Sequence, residues 1–166
     1  MVVCTYKLIA PPRNAQRFAG GTMPRSHELV HNCLYFTANS LGRAVSRLAD
    51  AAFAPTGLSP SHAFVLMLAA EEPGIGPGRL AERLALAPST VTRFADALVR
   101  RGLILREADG RAARLIPTPA GLALLKGVEQ AWKRLHQAYV DVLGEQGDRL
   151  ARELDDACRA LEDAER

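Results

Sequence analysis

Between Pro88 and Arg100 the sequence carries three small hydroxyls, Ser89, Thr90 and Thr92, and two guanidinium groups, Arg93 and Arg100. Hydroxyls exchange single hydrogen bonds and a guanidinium presents a planar fork of donors, so this set suits recognition of phosphate oxygens and base edges. Wound at 100° per residue, the segment puts Val91, Phe94, Ala95 and Leu98 on one side and Ser89, Thr92, Arg93, Asp96 and Arg100 on the other. Thr90 falls at the border. Small residues at the N-terminus would let the helix approach a duplex closely, its first amides would bind phosphate, and Arg93 would reach guanine or the backbone. Asp96 would repel phosphate unless Arg93 or Arg100 neutralises it. The competing reading is a solvated amphipathic helix in which Arg93, Asp96 and Arg100 pair with one another at spacings of three and four.

A second group of candidate residues follows at once. Leu103–Arg106 and Arg111–Ile116 flank Asp109-Gly110, a pair that tolerates the positive φ of tight hairpin turns. In such a hairpin Arg111 at the tip would enter a minor groove and Arg106 or Arg114 would touch backbone. Asp109 would orient the Arg111 guanidinium through a charge-assisted hydrogen bond. The alternative is a basic exposed hairpin without a ligand. The charge distribution favours the first reading: residues 79–114 hold eight Lys/Arg against four Asp/Glu, whereas residues 118–166 hold seven against ten, within a net charge of only +3.

These groups need elements to position them. Val30, Leu34, Leu41, Val45, Leu48 and Ala52 recur at helical spacings and predict a long helix from about Ser26, ended by Pro55-Thr56-Gly57. Ser59-Pro60 predicts the cap and first turn of a second helix, running through His62 to Glu71. A short third helix spans about Gly78 to Leu84, and the helix from Pro88 stops at Gly102, a residue suited to a left-handed cap. Thr118 caps a fifth helix ending near Gly144, and a sixth covers about Gly147 to Ala164. Residues 1–22, with Pro11-Pro12 and Gly20-Gly21, read as a poorly ordered leader. The order short helix, turn, helix and hairpin is that of a winged helix-turn-helix, in which the second helix of the pair enters a major groove.

Composition narrows the class. The 166 residues suffice for one ordinary domain, and abundant Ala, Leu and Arg with few aromatics suit packed helices. Cys4, Cys33 and Cys158 are too scattered for a metal cluster or a disulfide framework, which suits a reducing cytoplasm. The four histidines lack metal-ligand spacing, and no apolar run reaches the length of a membrane span. Gly74-Ile75-Gly76-Pro77-Gly78 lacks the ending of a phosphate loop, and Pro77 removes an amide donor. No convergent catalytic set is visible, so an enzyme is not expected, nor is any cofactor or metal.

The run from Leu80 to Arg93, then Leu98-Val99-Arg100-Arg101-Gly102-Leu103-Ile104, Asp109-Gly110-Arg111 and Leu115 to Gly121 resemble the MarR family of bacterial regulators. The resemblance covers about residues 26–164. It implies a mainly α fold: a winged helix-turn-helix lobe over 59–117 with a small β-hairpin wing, and a helical dimerisation region over 23–58 and 118–166, formed by the first and last two helices. It further implies a cytoplasmic homodimer on double-stranded, pseudo-palindromic operator DNA, usually a repressor released by a small aromatic effector or by peroxide. Cys33, flanked by His27 and His31, resembles the reactive cysteine of peroxide-sensing members, with Cys158 of a partner subunit as a second thiol, although Arg47 and Pro60 stand near where the accompanying tyrosines would fall. A small buried residue in an interface is the plainer reading of Cys33. His62, Phe64, Met67 and the Trp132 region would line an effector pocket or simply pack as core. Two departures stand out: Ala87 where the family has a capping Ser, and a shorter hairpin without an Arg-Arg pair beyond its Asp. A winged helix that binds only protein is the alternative function.

Overall fold

The computed structural model describes residues 30–109 and 112–164, and the side chains of Asp109 and Ala112 lie outside that description. The expected leader and Arg111 also fall outside it. The chain divides into two compact units, Met1–Ala44 and Val45–Arg166. Residues 30–32 are helical and α1 (Leu34–Phe53), which runs from the first unit into the second, begins after a break at Cys33, so the expected long helix is interrupted there; its expected start near Ser26 lies outside the described residues. The Cys33 carbonyl accepts both the amide and the hydroxyl of Thr37, at 3.0 Å each. It therefore serves as the first carbonyl of α1.

In the second unit a single 3₁₀ turn (Ala54–Thr56) leads through Gly57, at φ +66°, into α2 (Pro60–Glu71). Ala63, Val65, Leu66, Leu68 and Ala69 bury more than one side of α2, as the central helix of a core must. Around it pack α3 (Pro77–Leu84), α4 (Pro88–Arg100), the hairpin of β1 (Ile104–Asp109) and β2 (Ala112–Pro117), and α5 (Pro119–Leu143), which is followed by α6 (Gln146–Ala164). Phe53, Leu66, Ile75, Leu80, Leu98, Ile104, Leu115 and Val128 are among its largest fully buried members, each contributing about 1.5–3 kcal/mol of transfer free energy. Phe64 and Met67, considered above as pocket walls or core, are partly buried and pack against this core, Phe64 with its ring 5.9 Å from that of Phe53.

The strands pair antiparallel from Ile104↔Pro117 to Asp109↔Ala112, so the ladder extends three residues beyond the expected end of β1. A bridge between Ile75 and Leu115 adds a third edge: Gly74 donates its amide to the Leu115 carbonyl at 2.9 Å, and Leu115 donates to Ile75 at 3.2 Å.

Caps follow the local chemistry with one exception. Gly102 takes φ +67° after α4, and the Leu103 amide reaches back to the Leu98 carbonyl at 3.0 Å, the arrangement that commonly closes a helix. Thr118 caps α5 by accepting the Gly121 amide at 3.1 Å, donates its hydroxyl to the Gly102 carbonyl at 2.7 Å, and donates its own amide to Leu103 at 3.0 Å. Ser59 occupies the cap position of α2, yet its hydroxyl meets Nδ1 of His62 at 2.6 Å rather than a backbone amide. The imidazole also stands edge-on to Phe94, 4.9 Å between centroids. Burial, and secondarily the nearby Arg101 guanidinium, hold the His62 pKa below its ordinary value.

Two tests follow from this packing. A Cβ on the buried Gly121 would lie 2.1 Å from the Leu103 carbonyl oxygen, which is backbone and cannot swing aside. Gly121→Ala should therefore cost about 3 kcal/mol and lower the melting temperature by about 10 °C, whereas Gly78→Ala, with nothing within 4 Å, should be neutral or stabilising. For His62 the folded state favours the neutral ring. Its contribution is complete above the unfolded pKa of about 6.5 and is lost as the pH falls from there through the depressed folded pKa. Melting curves of His62→Gln should consequently show a weaker loss of stability than the parent does as the pH falls below about 6.5.

Candidate nucleic-acid interface

The helix that presents the candidate residues starts without help from its cap residue. Ala87, at φ −59° and ψ 136°, offers no side-chain hydrogen bond, and Pro88 at the first position supplies the pre-set φ instead. The turn before it is costly too. Ala85 sits in the left-handed region at φ +49°, where an L-residue loses about 1 kcal/mol, and is retained because the Leu86 amide thereby reaches the Ala81 carbonyl at 3.0 Å. This turn fixes the angle between α3 and α4.

Val91, Ala95 and Leu98 anchor α4 with no exposed area, and Phe94 and Val99 pack partly behind them. Ser89, Arg93 and Arg100 are exposed, while Thr90, Thr92 and Asp96 are half-buried. The division of faces read from the sequence therefore stands, with Thr90 at the border as expected. Within the hydroxyl set the structure draws a distinction: Thr92 donates its Oγ1 hydrogen to the Pro88 carbonyl at 2.9 Å, and no such bond occupies Ser89 or Thr90 among the described residues.

The wing carries its arginines on opposite faces. Arg106 is directly across from Leu115 and two residues from Ile104, so it shares their face, which looks to the core. There Arg106 Nη2 meets Asp96 Oδ1 at 2.8 Å. Asp96 is thus neutralised, but from the wing rather than by Arg93 or Arg100. The strand parity of Ile104 and Arg106 was the available signal. Arg114, across from Glu107, lies on the other face, its guanidinium so close above Gly74 that a Cβ there would stand 2.7 Å from Nη2. Gly74 has φ +92°, so this position favours glycine on two counts. Asp109 is in the β1 ladder, and its orientation of Arg111 lies outside the described residues.

The basic segment is less uniformly available than its charge count implies. Arg79 pairs with Glu72 at 3.1 Å, and Arg83 with Glu71 at 3.0 Å, the acids coming from the end of α2 just before the counted segment. Arg101 donates Nη1 to the Gly57 carbonyl at 2.9 Å. Among the described residues, Arg93, Arg100 and Arg114 are the cations of this segment with no acidic or carbonyl partner. Arg93 and Arg100 lie seven positions apart, about 10 Å along nearly one line of α4. Such a stripe can face a row of phosphates or a groove edge.

Among the described residues no three His, Cys, Asp or Glu stand together as metal ligands, and no helix is long and apolar enough to cross a membrane. Cys33 is half-buried and Cys158 exposed, both as free thiols.

Comparison with known proteins agrees with this architecture. Residues 58–114 match the model of the MarR family. A protein of Thauera aromatica assigned as transcriptional regulator of the hcr operon is 30% identical over 123 residues, covering 68% of this chain and 72% of that protein. CouR from Rhodococcus jostii RHA1, solved with p-coumaroyl-CoA, superposes with a TM-score of 0.63 at 25% identity, over 80% of this chain and 93% of that one. The M. tuberculosis regulator MosR in complex with DNA shares the fold with a TM-score of 0.71 at 24% identity, over 80% of this chain and 98% of that one. These relatives are regulators, not enzymes. The helix-turn-helix with its hairpin and a relative of this identity and coverage agree, and the chain belongs to the MarR family of transcriptional regulators.

Proposed function

We propose that this protein binds a pseudo-palindromic operator as a homodimer, represses the adjoining genes, and releases DNA when a small aromatic molecule or an oxidant acts on its helical region. The observation that carries the DNA contact is the stripe of α4 on which Arg93 and Arg100 have no acidic partner, on a helix anchored by Val91, Ala95 and Leu98. Ser89, Thr90 and Thr92 lie at the entering end. Arg111 and Arg114 in the wing would supply contacts outside the major groove, and Asp109 would steer Arg111. Arg106, bound to Asp96, acts by holding the wing against α4 rather than as a primary contact.

Residues 59–117 form the DNA-binding lobe in this reading, and 23–58 with 118–166 the dimerisation region. Its support is the large apolar surface left to water on α5 and α6, where Val142 is 79% and Leu161 59% exposed and Leu122 and Trp132 are also open. A second copy would cover it. Leu34, Tyr35 and Phe36 are similarly exposed in the first unit. The p-coumaroyl-CoA bound to CouR favours an aromatic effector. Cys33, half-buried as a free thiol, is the residue through which an oxidant would act.

Titration of salt against affinity for a duplex selected by the protein from a random pool tests the DNA contact. Arg93→Ala with Arg100→Ala should lower affinity at least a hundredfold and reduce the log–log salt slope by about 0.9 for each phosphate contact removed. Arg79→Ala with Arg83→Ala removes as much formal charge, but from residues already paired with Glu71 and Glu72, and should change the slope far less. Equal effects from the two double variants, or binding indifferent to salt, would contradict the assignment.

A further inference from the structure

We infer that Thr92 reads a thymine in each half-site through its γ-methyl group. This rests on the proposal that α4 enters the major groove and assigns a role to one side chain there. A threonine hydroxyl has one hydrogen, and that of Thr92 is given to the Pro88 carbonyl at 2.9 Å. It is therefore not available to the acceptor atoms of guanine or to the thymine carbonyl. The branched Cβ holds the side chain in its staggered position, so the back-bond fixes the methyl as well as the oxygen. What Thr92 offers a partner is that methyl and a remaining lone pair.

Neighbouring residues make the distinction meaningful. Ser89 and Thr90 keep their hydroxyl hydrogens for phosphate or base acceptors, and Arg93 supplies a fork of donors beside them. Thr92 is the member of this set that brings an apolar group to the groove without an unmet donor. The 5-methyl of thymine is the apolar feature that the major groove displays, and contact with it excludes water from both methyl groups. The lone pair would instead accept from the amino group of adenine or cytosine, and conservative variants separate the two outcomes.

The test uses the full-length protein, a duplex it selects from a random pool, and copies of that duplex in which each thymine in turn is replaced by deoxyuridine, which lacks only the 5-methyl. Fluorescence anisotropy should find one thymine per half-site whose replacement weakens binding by roughly fourfold, the factor expected for one buried methyl. Thr92→Val keeps the methyl and the branching and should retain that penalty. Thr92→Ser keeps the hydroxyl and should lose it, binding the two duplexes alike. The inference is overturned if no thymine shows the penalty, if Thr92→Ser retains it, or if Thr92→Val loses a preference for adenine or cytosine while Thr92→Ser keeps it. Salt-sensitive binding in those cases would leave the groove reading of α4 standing, whereas failure to select any duplex would overturn both.

Discussion

At the base of the wing, Gly121 brings the first turn of α5 against the carbonyl of Leu103, with no room for even a methyl group between them. Thr118 closes the same junction from the other side, spending its hydroxyl on the Gly102 carbonyl and the Gly121 amide and its own amide on Leu103. The residues that end α4, open β1 and begin α5 are thereby fixed to one another within a few ångströms. Leu103, Ile104 and Leu115 bury their side chains directly beneath. Because these contacts all end on backbone atoms, they depend on residue size at Gly121, on the hydroxyl of Thr118 and on conformation at Gly102 more than on the surrounding apolar side chains, which cores exchange more freely.

This junction explains how a short helix with a poor start can still present its face reliably. α4 lacks a side-chain cap at Ala87 and follows a strained Ala85, so local preference does little to hold its first turn. Tertiary anchoring compensates: Val91, Ala95 and Leu98 are wholly buried, the C-terminal end is closed at Gly102, and Arg106 ties Asp96 to the wing. Helical stability in proteins comes mainly from such packing. The exposed side is then free to carry residues chosen for a partner rather than for the helix.

Much of this was legible in the sequence because it depends on local periodicity. The two faces of α4, the strands on either side of Asp109-Gly110, and the Thr118-Pro119 start of α5 are all written in spacings of two, three and four residues, and from α2 to α6 the helices fall within a residue or two of their expected ends. What was not legible depends on partners distant in sequence or on competition between near neighbours. Glu71 and Glu72 quench Arg79 and Arg83 across a loop, so a charge count over residues 79–114 overstated the available cations. Asp96 invited pairing within its own helix, yet its partner came from β1, where Arg106 stands on the core-facing side of the hairpin. Ser59 stood at the right place to cap α2, but the imidazole three residues on captured its hydroxyl.

The length of α5 gives the junction a mechanical meaning. Its 25 residues extend about 37 Å from the end pinned at Leu103. A tilt of about 5° about that end would displace Leu143 by about 3 Å, close to the 3.4 Å step between successive nucleotides of a strand. Conversely, a displacement of that size imposed at the far end would correspond to a rotation of only about 5° at the pinned end. The helix is thus a long arm with a short, stiff head, an arrangement that converts displacement into angle.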